Sequence, residues 1–228
     1  MDMQPDPQLA GVVEPYGRRL DRNPSWALSE GSLFFEGRGA VQRAFRKVTA
    51  RLGEVGIPYA VIGGMAQFRH GYRRFTEDID LLVTSDSLKR IHEILVGRDC
   101  VTASVGGKSL RDAESGVWIK FWVTGEFPGD RKPKPVAFPD PRAVTIMLDG
   151  VRYINLSTLV ELKLASGVSN LSRMKDLADV IAIIRALKLP RNSSHGCILT
   201  SKKSISNSGM QPKCVLPLIT IELPRQAH

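Results

Sequence analysis

Cysteine is scarce in this chain, which has three among 228 residues: Cys100, Cys197 and Cys214. The odd number and the lack of metal-like spacing argue against a disulfide framework and against a zinc site. Long apolar runs are missing too, since no stretch of about 18 apolar residues occurs. The first residues, with Asp2 and Asp6, lack the apolar core of a signal peptide. We therefore expect a cytoplasmic protein with reduced thiols and no membrane partner.

Acidic residues are fewer than basic ones. The chain has 23 Asp and Glu against 32 Lys and Arg, a formal net charge of +9. This balance suits an anionic partner such as a nucleotide or a nucleic acid. From Arg191 onward, however, five basic residues accompany one acid, so the preceding part is only mildly basic. With 43% hydrophobic and 24% charged residues, the chain fits a globular domain with a proper core.

A glycine pair follows a short apolar segment. Residues 57–62 are rich in β-branched residues and stop at Gly63-Gly64, which predicts a buried strand that ends in a tight loop. Met65 to His70 then has helical character. A glycine-rich turn between a strand and a helix directs unpaired N–H groups at an anion. The pair therefore predicts a phosphate-binding turn.

A carboxylate pair follows the glycine pair. Residues 78–83, DIDLLV, predict a strand in which Asp78 and Asp80 point to one face and Ile79 to the other. Two such carboxylates repel each other, and a divalent cation removes that repulsion. Oxygen ligands of this kind suit Mg²⁺ or Mn²⁺. A bare D-x-D can also be a strand cap beside an exposed edge residue, but the glycine pair and the R-x-T-x-D-x-D context favour the metal.

The sequence GGMA followed by RRFTEDIDLLV resembles the nucleotidyltransferase fold superfamily. It is most similar to minimal nucleotidyltransferase-like proteins that include toxins of abortive-infection toxin–antitoxin systems. The resemblance covers residues 40–188. It implies transfer of a nucleoside monophosphate from an NTP to an RNA or protein acceptor, with release of pyrophosphate, and an antitoxin-like protein as a partner. It also implies catalytic roles for Asp78, Asp80 and Lys163, Mg²⁺ or Mn²⁺ on the two aspartates, and nucleotide contacts from Gly63, Gly64, Arg74, Thr76, Lys163 and Arg173.

Two helices are predicted after the sheet. Thr158 to Glu161 forms a capping box that would begin the first helix, and the resemblance implies that Lys163 on this helix reaches NTP phosphates as a point charge. Residues 172–188 predict the second helix, with an apolar stripe. By resemblance this helix carries further site residues, and by the alternative interpretation these form a solvated face with ion pairs: Arg173, Asp176 and Asp179.

A third carboxylate is missing from its expected place. The superfamily usually carries one on a later strand, where it completes a two-metal site. The candidate strand is residues 116–123, and it has Lys120 where the pattern would want Asp or Glu. The sequence leaves three alternatives open. The site uses one metal, a nearby acid such as Glu126 or Asp130 substitutes, or catalysis has been lost.

Proline is frequent between residues 126 and 141, which excludes a helix and predicts an extended loop. Its basic residues are Arg131, Lys132 and Lys134. The loop could bind the acceptor or a phosphate, or it could simply cover the sheet.

The predicted fold class is α/β (α+β), a nucleotidyltransferase-like mixed sheet flanked by helices, with a short C-terminal helical segment. Asp149-Gly150 predicts a hairpin turn. The predicted organisation is a flexible leader at 1–38 in which the stretch from Trp26 to Phe35 can be locally ordered, an α/β domain at 39–155, a helical extension at 156–190 and a tail at 191–228. The tail is serine-rich and loses the helical period, which suggests disorder or a coding change after residue 190. A degenerate nucleotide-binding module and a protein-interaction module remain alternatives to an active transferase.

Overall fold

A computed structural model of the chain describes residues 13–102 and 106–188. The predicted tail at 191–228, and the hypothesis about its origin, lie outside these residues. The helices are α1 (Tyr16–Arg22), α2 (Pro24–Phe35), α3 (Ala40–Glu54), α4 (Gly63–Arg69), α5 (Ser85–Leu95), α6 (Pro141–Val144), α7 (Leu156–Ser169) and α8 (Met174–Ala186). The strands are β1 (Tyr59–Ile62), β2 (Asp78–Val83), β3 (Cys100–Val101), β4 (Ser109–Asp112), β5 (Trp118–Val123), β6 (Thr145–Leu148) and β7 (Val151–Ile154).

The strands form one mixed sheet in the order β3-β4-β5-β2-β1-β7-β6. Strand β2 runs parallel to β5, and β1 runs parallel to β7, whereas the other neighbours are antiparallel. The register places Asp80 of β2 beside Ile62 of β1 on one side and beside Lys120 of β5 on the other. The two strands with the candidate site residues are therefore direct neighbours in the middle of the sheet.

Burial along β2 follows the alternation expected of a strand with one polar face. Ile79 and Leu81 have no exposed surface, whereas Asp78 and Asp80 on the opposite face are partly exposed. On the neighbouring β5, Ile119 and Phe121 are buried in the same way, and Lys120 lies between them on the polar face. The apolar side chains of both strands thus join the core, and this burial holds the polar face in a fixed position.

The structure corrects the prediction of a flexible leader at 1–38 for its described residues, apart from the local order expected around Trp26 to Phe35, which lies within α2. Helices α1 and α2 occupy most of this segment, and Tyr16 and Phe34 are each 1% exposed. The Tyr16 hydroxyl donates to Glu30 Oε2 at 3.1 Å, and the Ala40 backbone N–H donates to the same oxygen at 2.9 Å. Aromatic burial and a carboxylate that caps α3 therefore order this segment, although its proline and charge suggested a loose chain.

The predicted start of the first C-terminal helix is also wrong. Helix α7 begins at Leu156, because Asn155 Oδ1 accepts a hydrogen bond from the Thr158 backbone N–H at 2.9 Å. Asparagine is a somewhat stronger N-cap than threonine, and it acts here directly after β7. The predicted hairpin is confirmed, since Asp149 and Gly150 join β6 to β7 with φ values of 50° and 76°, as a tight turn of the primed type requires.

The predicted α+β class with a mixed sheet is confirmed. Eight helices and seven strands lie within the described residues, and helices α7 and α8 pack against each other in the same compact unit as the sheet. Over the described ranges, no helix combines the length and the apolar character needed to cross a membrane.

Candidate active site

Four polar-face side chains meet where β2 and β5 run side by side. Asp78 and Asp80 project from β2, and Lys120 and Trp122 project from β5. They lie at the bottom of a cleft of about 400 Å³. Helix α7, the start of α8, the first turn of α4 and the segment before β2 complete its walls. Its lining includes five acidic side chains (Glu77, Asp78, Asp80, Asp176 and Asp179) and five basic ones (Arg74, Lys120, Lys163, Arg173 and Lys175).

Donors already contact three of the four oxygens of the carboxylate pair. Lys120 Nζ forms an ion pair with Asp78 Oδ2, and Thr76 Oγ1 donates to Asp78 Oδ1 at 3.1 Å. Trp122 Nε1 donates to Asp80 Oδ1 at 2.9 Å. Asp80 Oδ2 accepts no hydrogen bond from any residue that the structure describes. The charge of Asp78 is therefore compensated by the Lys120 ammonium, whereas Asp80 receives only one hydrogen bond from a neutral donor.

These contacts shift the pKa values of Asp80 and Lys120. Burial, together with the negative charge of Asp78, raises the pKa of Asp80 from 3.8 to about 6, against the opposing effect of the Trp122 hydrogen bond. Burial lowers the pKa of Lys120, but its contact with Asp78 outweighs this effect and raises the pKa above its ordinary value. Lys120 therefore stays protonated, whereas Asp80 carries a proton more readily than an ordinary aspartate.

The glycine pair approaches the carboxylate strand more closely than any other residue type could. Gly63 has φ +61°, and a Cβ atom there would lie 2.1 Å from Asp80 Oδ2. A Cβ at Gly64 would lie 2.6 Å from Thr76 Oγ1. The predicted loop after the strand is absent, because the left-handed backbone of Gly63 turns the chain within one residue and α4 begins there. Both glycines thus make room for the carboxylate face.

Lys163 on α7 is buried between two carboxylates of α8. Its Nζ lies 2.8 Å from Asp176 Oδ1 and 2.8 Å from Asp179 Oδ2. Ser166 Oγ donates to Asp176 Oδ2 at 2.7 Å, and Arg173 Nε donates to the same oxygen at 3.0 Å. Burial raises the pKa of Asp176, but Lys163 and the hydrogen bonds outweigh this effect and hold it below its ordinary value.

This geometry corrects the interpretation of the second helix as a solvated face, as far as its two aspartates are concerned. Asp176 is 6% exposed and Asp179 is 4% exposed, so these residues do not form a solvated face. They fix α8 against α7 through one buried ammonium. Arg173, by contrast, keeps 45% of its side-chain surface exposed and lines the cleft.

Gln67 connects this ion cluster to the glycine turn. Its Nε2 donates to Asp179 Oδ2 at 3.0 Å, and its Oε1 accepts from Arg74 Nε at 2.8 Å. Arg74 Nη2 reaches the same Asp179 oxygen at 3.3 Å. The side chain of Gln67 is fully buried. A continuous polar network therefore joins α4, the segment before β2, α7 and α8 around the cleft.

A divalent cation fits the carboxylate pair, although the set of ligands is small. Asp80 Oδ2 lacks a donor, and the raised pKa of Asp80 shows the uncompensated charge that a cation would remove. Asp78 would be the second ligand. Within the described ranges, no group of three or more His, Cys, Asp or Glu side chains is arranged to hold a metal. Water and substrate phosphates would have to complete the coordination, as is usual for Mg²⁺.

The cleft brings together most of the residues predicted from the sequence. Those that line it are Gly63, Gly64, Arg74, Thr76, Asp78, Asp80, Lys120, Lys163, Arg173, Asp176 and Asp179. Glu126 and Asp130 do not line it. Glu126 pairs with Lys108, and Asp130 pairs with Lys134, so neither acid takes the place of the missing third carboxylate. In the proline-rich loop Pro128, Gly129 and Phe138 line the cleft, while Lys134 stabilises the loop itself through Asp130 and the Pro128 carbonyl.

The polar residues that the sequence analysis did not assign to the site include Trp122 and Ser166, which line the cleft, and the buried Gln67 behind it. Trp122 could have been found by strand alternation, because it lies two residues after Lys120 on the same face. Ser166 lies three residues after Lys163, on the same side of a helix. Gln67 gave no such signal, because its partners Arg74 and Asp179 are brought to it by the tertiary fold.

The raised pKa of Asp80 predicts a pH dependence of stability. The folded chain holds a proton that the unfolded chain releases between about pH 4 and pH 6, so this stabilisation is full below pH 4 and lost as the pH rises through about 6. We expect Asp80→Asn to raise the free energy of unfolding by on the order of 2 kcal/mol at about pH 7.5 and to change it little at about pH 4. Urea unfolding at both pH values measures this, and a less stable variant at the higher pH would contradict it.

The solved structures that resemble this chain include two that are described as nucleotidyltransferase or nucleotidyltransferase-like. A candidate nucleotidyltransferase from Thermotoga maritima has a TM-score of 0.43 and 16% identity, and the match covers 61% of this chain and 91% of that one. An antigenic nucleotidyltransferase-like protein from Paracoccidioides brasiliensis has a TM-score of 0.38 and 18% identity, covering 60% and 72% respectively. No family model and no curated protein sequence matches the chain. At these TM-scores the similarities support no argument about function, so the functional argument rests on the residues of the cleft.

Proposed function

We propose that this protein is a Mg²⁺-dependent nucleotidyltransferase that moves a nucleoside monophosphate from an NTP to an RNA or protein acceptor. The observation that carries the proposal is the carboxylate pair Asp78 and Asp80, which faces the closely approaching Gly63 in a cleft of about 400 Å³. Of the basic side chains that line the cleft, Arg173 and Lys175 are exposed and can offer positive charge to a triphosphate. The cleft is also large enough for a nucleotide.

The reaction follows from this arrangement of charges. An acceptor hydroxyl attacks the α-phosphorus and loses its proton to solvent water, and the bond from the α-phosphorus to the bridging oxygen breaks so that pyrophosphate leaves with the bonding electron pair. Asp78 and Asp80 would hold Mg²⁺ or Mn²⁺, which lowers the charge on the phosphates when it is bound. Arg173, half-exposed at the cleft, and Lys175, exposed beside it, can contact phosphate oxygens. The backbone N–H groups of Gly63 and Gly64 lie at the first turn of α4, where phosphate oxygens can accept from them.

Labelled NTPs test the proposal. The four NTPs, each labelled at the α-phosphate, are incubated with the full chain, Mg²⁺ or Mn²⁺, and total RNA or protein extract. We expect metal-dependent transfer of label to one of the two acceptor classes and none after chelation. Label at the γ-phosphate is the control, because it leaves with pyrophosphate and does not mark the acceptor. An absence of α-label transfer with either metal and every NTP would refute the proposed activity.

Lys120 favours a second candidate function, that of a degenerate module which binds nucleotide without chemistry. Its ammonium already neutralises Asp78, which weakens the pair as a metal site. This candidate predicts nucleotide binding by calorimetry with no pyrophosphate release, whereas the transferase predicts both. The same preparation can be assayed for binding and for release.

The resemblance to abortive-infection toxins supports a more specific proposal, that transfer is toxic and that an antitoxin-like protein restrains it. The basic balance of the chain, +9 overall, suits an RNA acceptor or an acidic partner. Induced expression in a bacterial host tests this. Growth arrest by the wild type and not by a transfer-dead variant would support a toxin, and unimpaired growth despite active transfer would exclude it.

A further inference from the structure

We infer that the Lys120 ammonium supplies the positive charge that a second divalent cation supplies in two-metal sites, so that this cleft takes one divalent cation. The inference rests on the proposed function for the nature of the ligand. Its structural basis is the position of Lys120 among the carboxylates, which needs no nucleotide to be observed.

The sheet fixes Lys120 at this position. Strands β2 and β5 are parallel neighbours, and Lys120 lies in register with Asp80. In-register residues on neighbouring strands project to the same face. The side chain therefore leaves the backbone beside the carboxylate pair, and the flanking Ile119 and Phe121 anchor it because both are buried in the core.

Among the described cationic side chains that line the cleft, Lys120 alone contacts the pair. Lys163 is held by Asp176 and Asp179, and Arg74 is held by Gln67 and Asp179. Lys120 forms its ion pair with Asp78 and leaves Asp80 Oδ2 without a donor. In this geometry the ammonium occupies the Asp78 carboxylate, and Asp80 Oδ2 is left open to a metal ion.

Lys120 can also leave Asp78 when a ligand binds. Its side chain is 44% exposed, and that of Asp78 is 25% exposed. When a divalent cation replaces the ammonium at Asp78, neither charge is therefore left buried without a partner. The released ammonium faces the cleft, where phosphate oxygens of a bound NTP are its alternative acceptors. A carboxylate at position 120 would do the opposite, since it would add a third metal ligand.

Manganese binding tests the inference without catalysis. Wild type, Lys120→Met and Lys120→Asp are titrated with Mn²⁺ in the absence of nucleotide, and electron paramagnetic resonance counts the bound ions and detects coupling between them. We expect one Mn²⁺ in the wild type and one in Lys120→Met, bound about tenfold more tightly because its competitor is gone. We expect two spin-coupled ions in Lys120→Asp. Lys89→Met, on an exposed part of α5, is the matched control and should behave as the wild type.

Two coupled ions in the wild type, or unchanged affinity in Lys120→Met, would overturn the inference. Circular dichroism confirms that each variant is folded before titration, and either variant alone is sufficient for a decision. The result is separable from the proposed function. If the manganese pattern holds while NTP binding and transfer fail, the transferase proposal is wrong and the role of Lys120 as a resident cation stands. No bound Mn²⁺ in any of the proteins would overturn the inference, and the transferase proposal would still be decided by the labelled-NTP assay.

Discussion

Asp80→Asn is expected to lower nucleotide transfer by about a thousandfold or more while the chain stays folded. The carboxylate contributes the one oxygen of the pair that lacks a hydrogen-bond donor, and the amide removes its negative charge. The amide oxygen can still accept from Trp122 Nε1, which now lies 2.9 Å from Asp80 Oδ1. The loss should therefore appear in transfer and in metal binding, not in the folded structure.

Asp86→Asn is the matched control for this change. Asp86 lies in the first turn of α5 with 92% of its side chain exposed, so it has the same chemistry at a site away from the cleft. Initial rates of α-label transfer at saturating Mg²⁺ should be about a thousandfold or more lower for Asp80→Asn than for Asp86→Asn. If Asp80→Asn retained more than about a tenth of wild-type transfer, Asp80 could not be a metal ligand in the reaction.

Local pattern was sufficient to predict the strands that carry the site. Strand β2 has the predicted limits, because alternation and β-branched residues act within the segment itself. The order of the leader was predicted only around Trp26 to Phe35, because its helices depend on Tyr16 and Phe34 reaching a core formed by later residues. The short strands β3 and β4 received no prediction either. Strand β4 includes the buried Arg111 and Asp112. Their partners lie far away in sequence, because Asp112 pairs with Lys47 and Arg111 Nη1 donates to the Val13 carbonyl at 2.6 Å.

In the candidate site, too, some features follow from local sequence pattern and others depend on the tertiary fold. The face shared by Asp78 and Asp80 follows from the period of a strand, and Lys120 follows once the strands are aligned. The burial of Asp176 and Asp179 does not follow, because a helix with acidic and basic residues at this spacing is usually a solvated one. Only the packing of α7 against α8 turns these residues into partners of Lys163.

Lys163→Met should have the largest effect on stability of the changes considered, a loss of about 3–5 kcal/mol in the free energy of unfolding. The side chain of Lys163 is 10% exposed, and those of its two partners, Asp176 and Asp179, are 9% and 5% exposed. Methionine fills a similar volume but leaves two buried carboxylates without their shared cation. Urea unfolding near neutral pH measures the change.

Two companion variants make this result specific to the buried cluster. Lys89→Met removes a cation from an exposed pair with Asp86, 3.6 Å apart, and should change stability by less than about 0.5 kcal/mol. Adding Asp176→Asn and Asp179→Asn to Lys163→Met should restore much of the loss, because the uncompensated charges are then gone. A Lys163 that served only to contact phosphate would give the reverse pattern, with a large loss of transfer and a stability close to that of Lys89→Met. The two measurements together decide whether this lysine holds α7 to α8, because a structural role cannot leave the unfolding free energy unchanged.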